Sequence, residues 1–195
     1  MKLSKGTILV FFMASLFFVN TSFAKIIEVC SNCEIRSVKK AVDLAAEGDE
    51  IIIHPGIYKE HNIVIKKSIS IKGIGNPVID GENLETIFHI SANNFSVQGL
   101  TIINVGKSFT KDFAGILISR SSNFLIKNVE LKNVFFGILI EKSKQGTISY
   151  NKVSSNAVTE ASSGNGIHLW HCEHMQVDRN TLTGMRDGIY FEFVK

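Results

Sequence analysis

The chemistry-bearing residues of this chain crowd into one short stretch. His168, Trp170, His171, Cys172 and His174 fall within seven residues, Met175 is next to them, and Met185 and Tyr190 follow a little further on. Imidazole, thiolate and thioether groups suit soft Cu(I), whereas magnesium or calcium takes oxygen. His168, His171, Cys172 and His174 are therefore the candidate metal ligands, and copper is the candidate metal. The competing reading is of ordinary polar residues at a surface turn. A second pair, Cys30 and Cys33, has the spacing of a small disulfide in an oxidising compartment. A Cu(I) or redox pair is the sharper alternative, but no βαβ pattern surrounds it to support a thioredoxin-type role. Cys172 is then the third thiol, buried or metal-bound.

Carboxylates test for an enzyme. Glu141 and Glu192 occupy equivalent places two periods apart, with Trp170 between them. If the three places lie on successive parallel strands, two strand spacings put the carboxylates about 9–10 Å apart, near the upper end for an inverting glycosidase. A sugar would stack on Trp170. General acid–base work needs one carboxyl with a raised pKa, and exposed glutamates lack the burial that raises it. No catalytic residue is assigned. Arg186-Asp187 reads as a local pair ordering a turn.

These residues sit in a repeat, which must be found before anything else is read. A glycine followed by apolar residues at +1 and +3 opens Gly115-Ile116-Leu117-Ile118, Gly137-Ile138-Leu139-Ile140, Gly166-Ile167-His168-Leu169 and Gly188-Ile189-Tyr190-Phe191, and Thr86-Ile87-Phe88 opens a looser copy. Ile or Val recurs at +11 (Val97, Ile126, Ile148, Val177), and a further apolar residue at +16 (Ile102, Leu131, Val153, Leu182). The starts lie 29, 22, 29 and 22 residues apart. Short β-branched runs without helical periodicity, stacked coil on coil, predict an all-β fold: a right-handed single-stranded parallel β-helix of about six coils. The +1 and +3 residues then face inward as ladders. The +2 residues Leu117, Leu139, His168 and Tyr190 face outward. Corner asparagines (Asn104, Asn128, Asn133, Asn156, Asn180) suit left-handed bends. The long periods carry insertions, roughly 106–113 and 157–165, expected to protrude from one edge. In this register His168 lies beside Tyr190, so Trp170, Tyr190, Arg186, Asp187 and Glu192 together form a candidate docking surface.

The start of the chain has a different character. Residues 1–24 read as a signal peptide: Lys2 and Lys5, an apolar run from Thr7 to Val19, and Ser22-Phe23-Ala24 for cleavage. The apolar run is too short to span a bilayer, so no membrane span is expected after cleavage, and the destination is the periplasm. Loss of Lys2 and Lys5 takes the formal charge from +3 to +1, which leaves no basic face for nucleic acid. Residues 25–195 form the β-helix domain. Ile35, Val38, Ala41, Val42 and Ala45 have helical spacing before Gly48, so a helix over 35–47 is expected to cap the first coil. The sequence stops at Phe193-Val194-Lys195 inside a coil, as a C-terminally truncated copy would.

Two further likenesses add to this. Gly48-Asp49 and Pro55-Gly56-Ile57-Tyr58 resemble the opening of many right-handed β-helix proteins that act on or bind carbohydrate. Ser163-Gly164-Asn165-Gly166-Ile167-His168-Leu169-Trp170, Gly184 and Arg186-Asp187-Gly188-Ile189-Tyr190-Phe191-Glu192-Phe193-Val194 resemble the NosD-type accessory proteins of nitrous-oxide reductase maturation. The likeness also takes in Gly56-x-Tyr58-Lys59-Glu60, Pro77-Val78-Ile79-Asp80-Gly81 and Phe135-Phe136-Gly137-Ile138, and covers roughly residues 47–195. The resemblance implies a secreted, copper-binding β-helix that works beside an ABC transporter and a copper chaperone as nitrous-oxide reductase acquires its copper–sulfur centre. It implies no settled ligand set. The expected function is thus a binding and assembly module with no reaction of its own. The alternative is a carbohydrate-binding or carbohydrate-active β-helix using Glu141 and Glu192 around Trp170.

Overall fold

A computed structural model describes residues 24–108, 110–159 and 162–195. The expected signal peptide therefore lies, but for Ala24, outside the described residues. The strand β1 (Ile26–Val29) and the helix α1 (Val38–Leu44) open the chain. The first full turn is β2 (Glu50–Ile53), β3 (Ile57–Lys59) and β4 (Ile63–Ile65), and the second is β5 (Ser70–Gly73), β6 (Val78–Asp80) and β7 (Phe88–Ile90). The third is β8 (Ser96–Gln98), β9 (Thr101–Ile103) and β10 (Ala114–Ser119). The fourth is β11 (Ser122–Lys127), β12 (Glu130–Lys132) and β13 (Phe136–Glu141), and the fifth is β14 (Lys144–Ser149), β15 (Lys152–Ser154) and β16 (Ile167–Trp170). β17 (Gln176–Asp178), β18 (Thr181–Thr183) and β19 (Ile189–Glu192) complete the sixth. Each strand pairs in parallel with its equivalent one turn on, giving three sheets. With β1 as a partial opening turn, the solenoid has about seven turns.

The ladders follow the predicted phase. Ile63, Phe88, Ile116, Ile138, Ile167 and Ile189 stack in one column. Ile27, Ile51, Ile71, Val97, Ile126, Ile148 and Val177 stack in another. Ile116, Ile138 and Ile167 are fully buried, while Ile189, on the last described rung, is 46% exposed. The looser copy is one residue out of step: Phe88, not Ile87, pairs with Ile116. Tyr58 heads the third column above Ile79 and donates its hydroxyl to the Val29 and His54 carbonyls.

The capping helix is shorter than the spacing predicts. Ile35 forms a strand-like bridge with Val29, and the Ser37 side chain accepts from the Lys40 N–H as the N-cap. At the other end Ala45 is extended, and the Asp49 carboxylate accepts from the Ala46 N–H at 2.8 Å. Two side chains from the first turn clamp the helix. Glu60 accepts from the Val38 and Lys39 N–H groups (2.9 and 2.7 Å), and the Lys67 ammonium meets the Val42 and Asp43 carbonyls. Both charges match the helix dipole. Val38, Ala41 and Val42 are buried over the first turns, so α1 does cap that end.

The corners depart from expectation in residue type. Asn104, Asn128 and Asn133 have positive φ, but Asn156 and Asn180 do not. Asn180 turns inward instead, accepting from the Asn151 N–H at 2.9 Å and donating to the Ile148 carbonyl at 2.8 Å. Arg179 takes the left-handed place beside it. Nor do the insertions simply protrude. Gly106, Ser163, Gly164 and Asn165 are buried, and Gly164 N–H donates to the Phe135 carbonyl at 3.0 Å.

Two outcomes follow. Ile138→Ala should lower unfolding free energy by about 2–5 kcal/mol through the cavity left in its column, read by denaturant titration. The hydrogen bonds from the Ala46 and Lys25 N–H groups hold the Asp49 carboxyl below its usual range. A depressed native pKa adds stability above the ordinary carboxylate pKa that disappears as pH falls through the native one. The gap in melting temperature between wild type and Asp49→Ala should therefore be full at neutral pH and close below about pH 4.

Candidate functional site

The outward row runs Val64, His89, Leu117, Leu139, His168 and Tyr190, one residue per turn. The sequence reading leaves this row on an open face, but the structure covers its middle. Leu139 is 3% exposed and joins Ala114, Phe136, Leu117 and Phe135 in a second, smaller apolar cluster outside the sheet. Ala114 at the start of β10 and the Phe135–Phe136 step supply that cover. His168 sits at its margin, 6.1 Å from the Phe136 ring and 5.0 Å, edge to face, from the Tyr190 ring.

The second insertion reaches His168. Its Nδ1 lies 3.4 Å from the amide nitrogen of the fully buried Asn165, at the end of the second insertion. Arg186 donates to Asn165 Oδ1 at 3.0 Å and pairs with Asp187 at 3.2 Å, so the expected Arg186–Asp187 pair also braces the insertion. Burial pushes the His168 pKa down. The Glu192, Asp112 and Asp187 carboxylates pull it back in part, and the Arg186 guanidinium reinforces the fall. His168 is thus a neutral imidazole at neutral pH. Its Nε2 is buried without a hydrogen-bond partner, 4.0 Å from Glu192 Oε2.

Trp170 lies in the next outward row, between Glu141 and Glu192 as predicted. Its ring already has two partners. The Lys142 ammonium stands 4.9 Å over it, and the His171 ring meets it at 4.6 Å. His171 in turn stacks on Phe193 at 4.6 Å. Beyond this row the corner column Arg120, Lys142, His171 and Phe193 is left-handed throughout, with φ of 51°, 48°, 52° and 53°.

The structure does not gather the four expected metal ligands. Cys172 is fully buried and occupies the inward column of Ser121 and Ser143. Its Sγ faces the Ile140 and Trp170 carbonyls at 3.5 Å, as the Ser143 hydroxyl faces the Glu141 carbonyl at 2.7 Å. Burial raises its pKa, keeping it a thiol. His171 and His174 are exposed at opposite ends of the corner, and His168 belongs to the outward row on the sheet. Among the described residues no three His, Cys, Asp or Glu side chains are grouped closely enough to hold a metal ion. Cys30 and Cys33 form a disulfide. The sequence reading missed Asn165, Asp112, Phe136 and Lys142. The only signal was that both insertions enter the coil at the same phase.

The fold now permits comparison with known proteins. The chain matches the family described as "Right handed beta helix region" over residues 17–182. It belongs to that family. It is 23% identical over 129 residues to the probable ABC transporter binding protein NosD of Pseudomonas aeruginosa, covering 65% of this chain and 30% of that protein. To the protein of the same description from Stutzerimonas stutzeri it is 26% identical over 113 residues, covering 57% and 26%. The chain thus spans less than a third of these relatives. An iota-carrageenase bound to iota-carrageenan fragments superposes with a TM-score of 0.58 at 16% identity, over 82% of this chain and 42% of that one. At that identity the likeness is one of fold alone.

Since its column is otherwise serine, Cys172→Ser should fold normally and change unfolding free energy by no more than about 1 kcal/mol. A larger loss in a chemical melt would mean that the thiol itself matters.

Proposed function

We propose that this chain is a NosD-type assembly and docking module, exported to the periplasm, that serves maturation of the copper–sulfur centre of nitrous-oxide reductase. Its partners are the reductase, an ABC transporter and a copper chaperone. The observation that carries the reading is a change along one outward row: Leu117 and Leu139 give way to His168 and Tyr190 in a chain similar to transporter-binding proteins. Rigid aromatic side chains set in a half-buried rim contribute disproportionately to protein recognition. His168, Trp170, Tyr190, Arg186, Asp187 and Glu192 form the docking face.

Copper enters as cargo. Cys172 faces the core, so ligation by this chain alone would fall to His171 and His174, completed by groups from a partner. The chain performs no reaction in this reading. The carbohydrate alternative rests on Glu141 and Glu192 flanking Trp170, and the Lys142 ammonium over that ring weighs against a stacked sugar.

Binding of the purified chain to the transporter complex is the test. His168→Ala and Trp170→Ala should each weaken it by about 10-fold or more. Unchanged affinity in both variants would overturn the docking face. Release of sugar ends from pectin or carrageenan, abolished by Glu141→Gln, would replace this reading with the enzymatic one.

A further inference from the structure

We propose that the Cys30–Cys33 disulfide is a reducible two-electron site, opened by a dithiol protein that docks as an extended segment along β1. The inference does not rest on the docking reading, whose residues lie at the other end of the solenoid. β1 is an edge strand of the seven-stranded sheet. Lys25 and Val29 turn their carbonyls toward β2, accepting from the Glu50 and His54 N–H groups at 2.9 Å. Alternation along a strand therefore turns the backbone of Ile26 and Glu28 the other way. Cys30 N–H, next on that side, donates to the Ile35 carbonyl at 3.2 Å. Among the described residues no such bond reaches the Ile26 N–H or carbonyl.

A groove of about 320 Å³ runs beside this open edge, with Lys25 to Glu28 on one side and Cys33 to Ile35 on the other. The Ile26 side chain is 56% exposed. An edge strand with unpaired backbone groups is a template for one more strand. A segment that adds to β1 is led to Cys33, which lines the groove, and not to Cys30, which does not. A dithiol protein that offers its reactive cysteine on an extended backbone fits that path.

The bond itself holds up little of the fold. Disulfide stabilisation grows with the length of the loop closed, and this one encloses only Ser31 and Asn32. The loop has its own backbone closure, since Cys33 N–H donates to the Cys30 carbonyl at 3.3 Å. The Val29–Ile35 bridge ties its two ends, and Glu60 and Lys67 hold α1 from the first turn. The chemistry balances without another reagent. The partner thiolate bonds to Cys33 Sγ as the Cys30–Cys33 bond breaks, and Cys30 leaves as a thiolate. The partner's second thiolate then displaces Cys33, so the partner departs as a disulfide. It has given two electrons, and its two protons end on Cys30 and Cys33. Cys172, buried and kept a thiol, takes no part.

The test mixes the full chain with a thioredoxin variant that lacks its resolving cysteine, which leaves the first mixed disulfide intact. Peptide mapping should place the adduct on Cys33. Ile26→Pro removes the outward N–H at an edge position that tolerates proline, and should slow adduct formation about fivefold or more. Its reduction by a small phosphine should match wild type. Intact thioredoxin should expose two alkylatable thiols, Cys30 and Cys33, in a chain that still melts cooperatively. His168→Ala, which weakens docking in the reading above, should form the adduct at the wild-type rate, so the two readings fail separately. No adduct, an adduct on Cys30, capture of glutathione as fast as of thioredoxin, an undiminished rate in Ile26→Pro, or unfolding on reduction would each overturn the proposal.

Discussion

Every residue in this molecule is judged against its equivalent one turn away. Parallel pairing in fixed register places like on like, so a side chain's surroundings are set mainly by two others tens of residues off in sequence. That constraint makes the β-branched columns possible. Ile116, Ile138 and Ile167 bury completely because each covers the next. The same register lets the polar columns close their own hydrogen bonds. Asn151 and Asn180 bond to each other and to carbonyls of the preceding strands, and buried polar atoms are tolerated only on such terms.

The backbone corners show how strongly the register overrides residue preference. Arg120, Lys142, Gln145, Tyr150, His171 and Arg179 all adopt left-handed conformations that disfavour their side chains. Five of these N–H groups donate to the neighbouring turn: Arg120 to the Glu141 carbonyl, Lys142 to that of Trp170, Gln145 to that of Glu173, Tyr150 to that of Asp178 and His171 to that of Glu192. Such bonds offset the local strain. They also explain why asparagine was only a partial guide to the bends. Asn104, Asn128 and Asn133 were legible from residue type, whereas the neighbouring corners are held by bonds between turns that no single position announces.

Legibility divides along the same line. The columns could be read because their periodicity is written in residue type, and so could the pairing of His168 with Tyr190 and the place of Trp170 between two glutamates. The helix ends could not, since Glu60, Lys67 and Asp49 set them from outside the helical spacing. The covering of Leu139 could not either, because it depends on how the chain around β10 and β13 folds back over the sheet. Cys172, expected to be buried or metal-bound, is the buried thiol, and the cause is direct. A cluster of soft side chains along the sequence is split by the corner into an inward thiol and outward rings, so adjacency in the chain became separation in space.

Cys172 also bears on covalent integrity. A chain with a disulfide and one spare sulfur is exposed to thiol–disulfide exchange, in which the free sulfur attacks the bridge and mispairs it or links two molecules. The attacker must be a thiolate that can reach the bond. Cys172 is fully buried and kept protonated. It lies near β16 at one end of the solenoid, while Cys30 and Cys33 follow β1 at the other. Its place among the serines therefore makes the odd sulfur silent for as long as the turns around it remain closed.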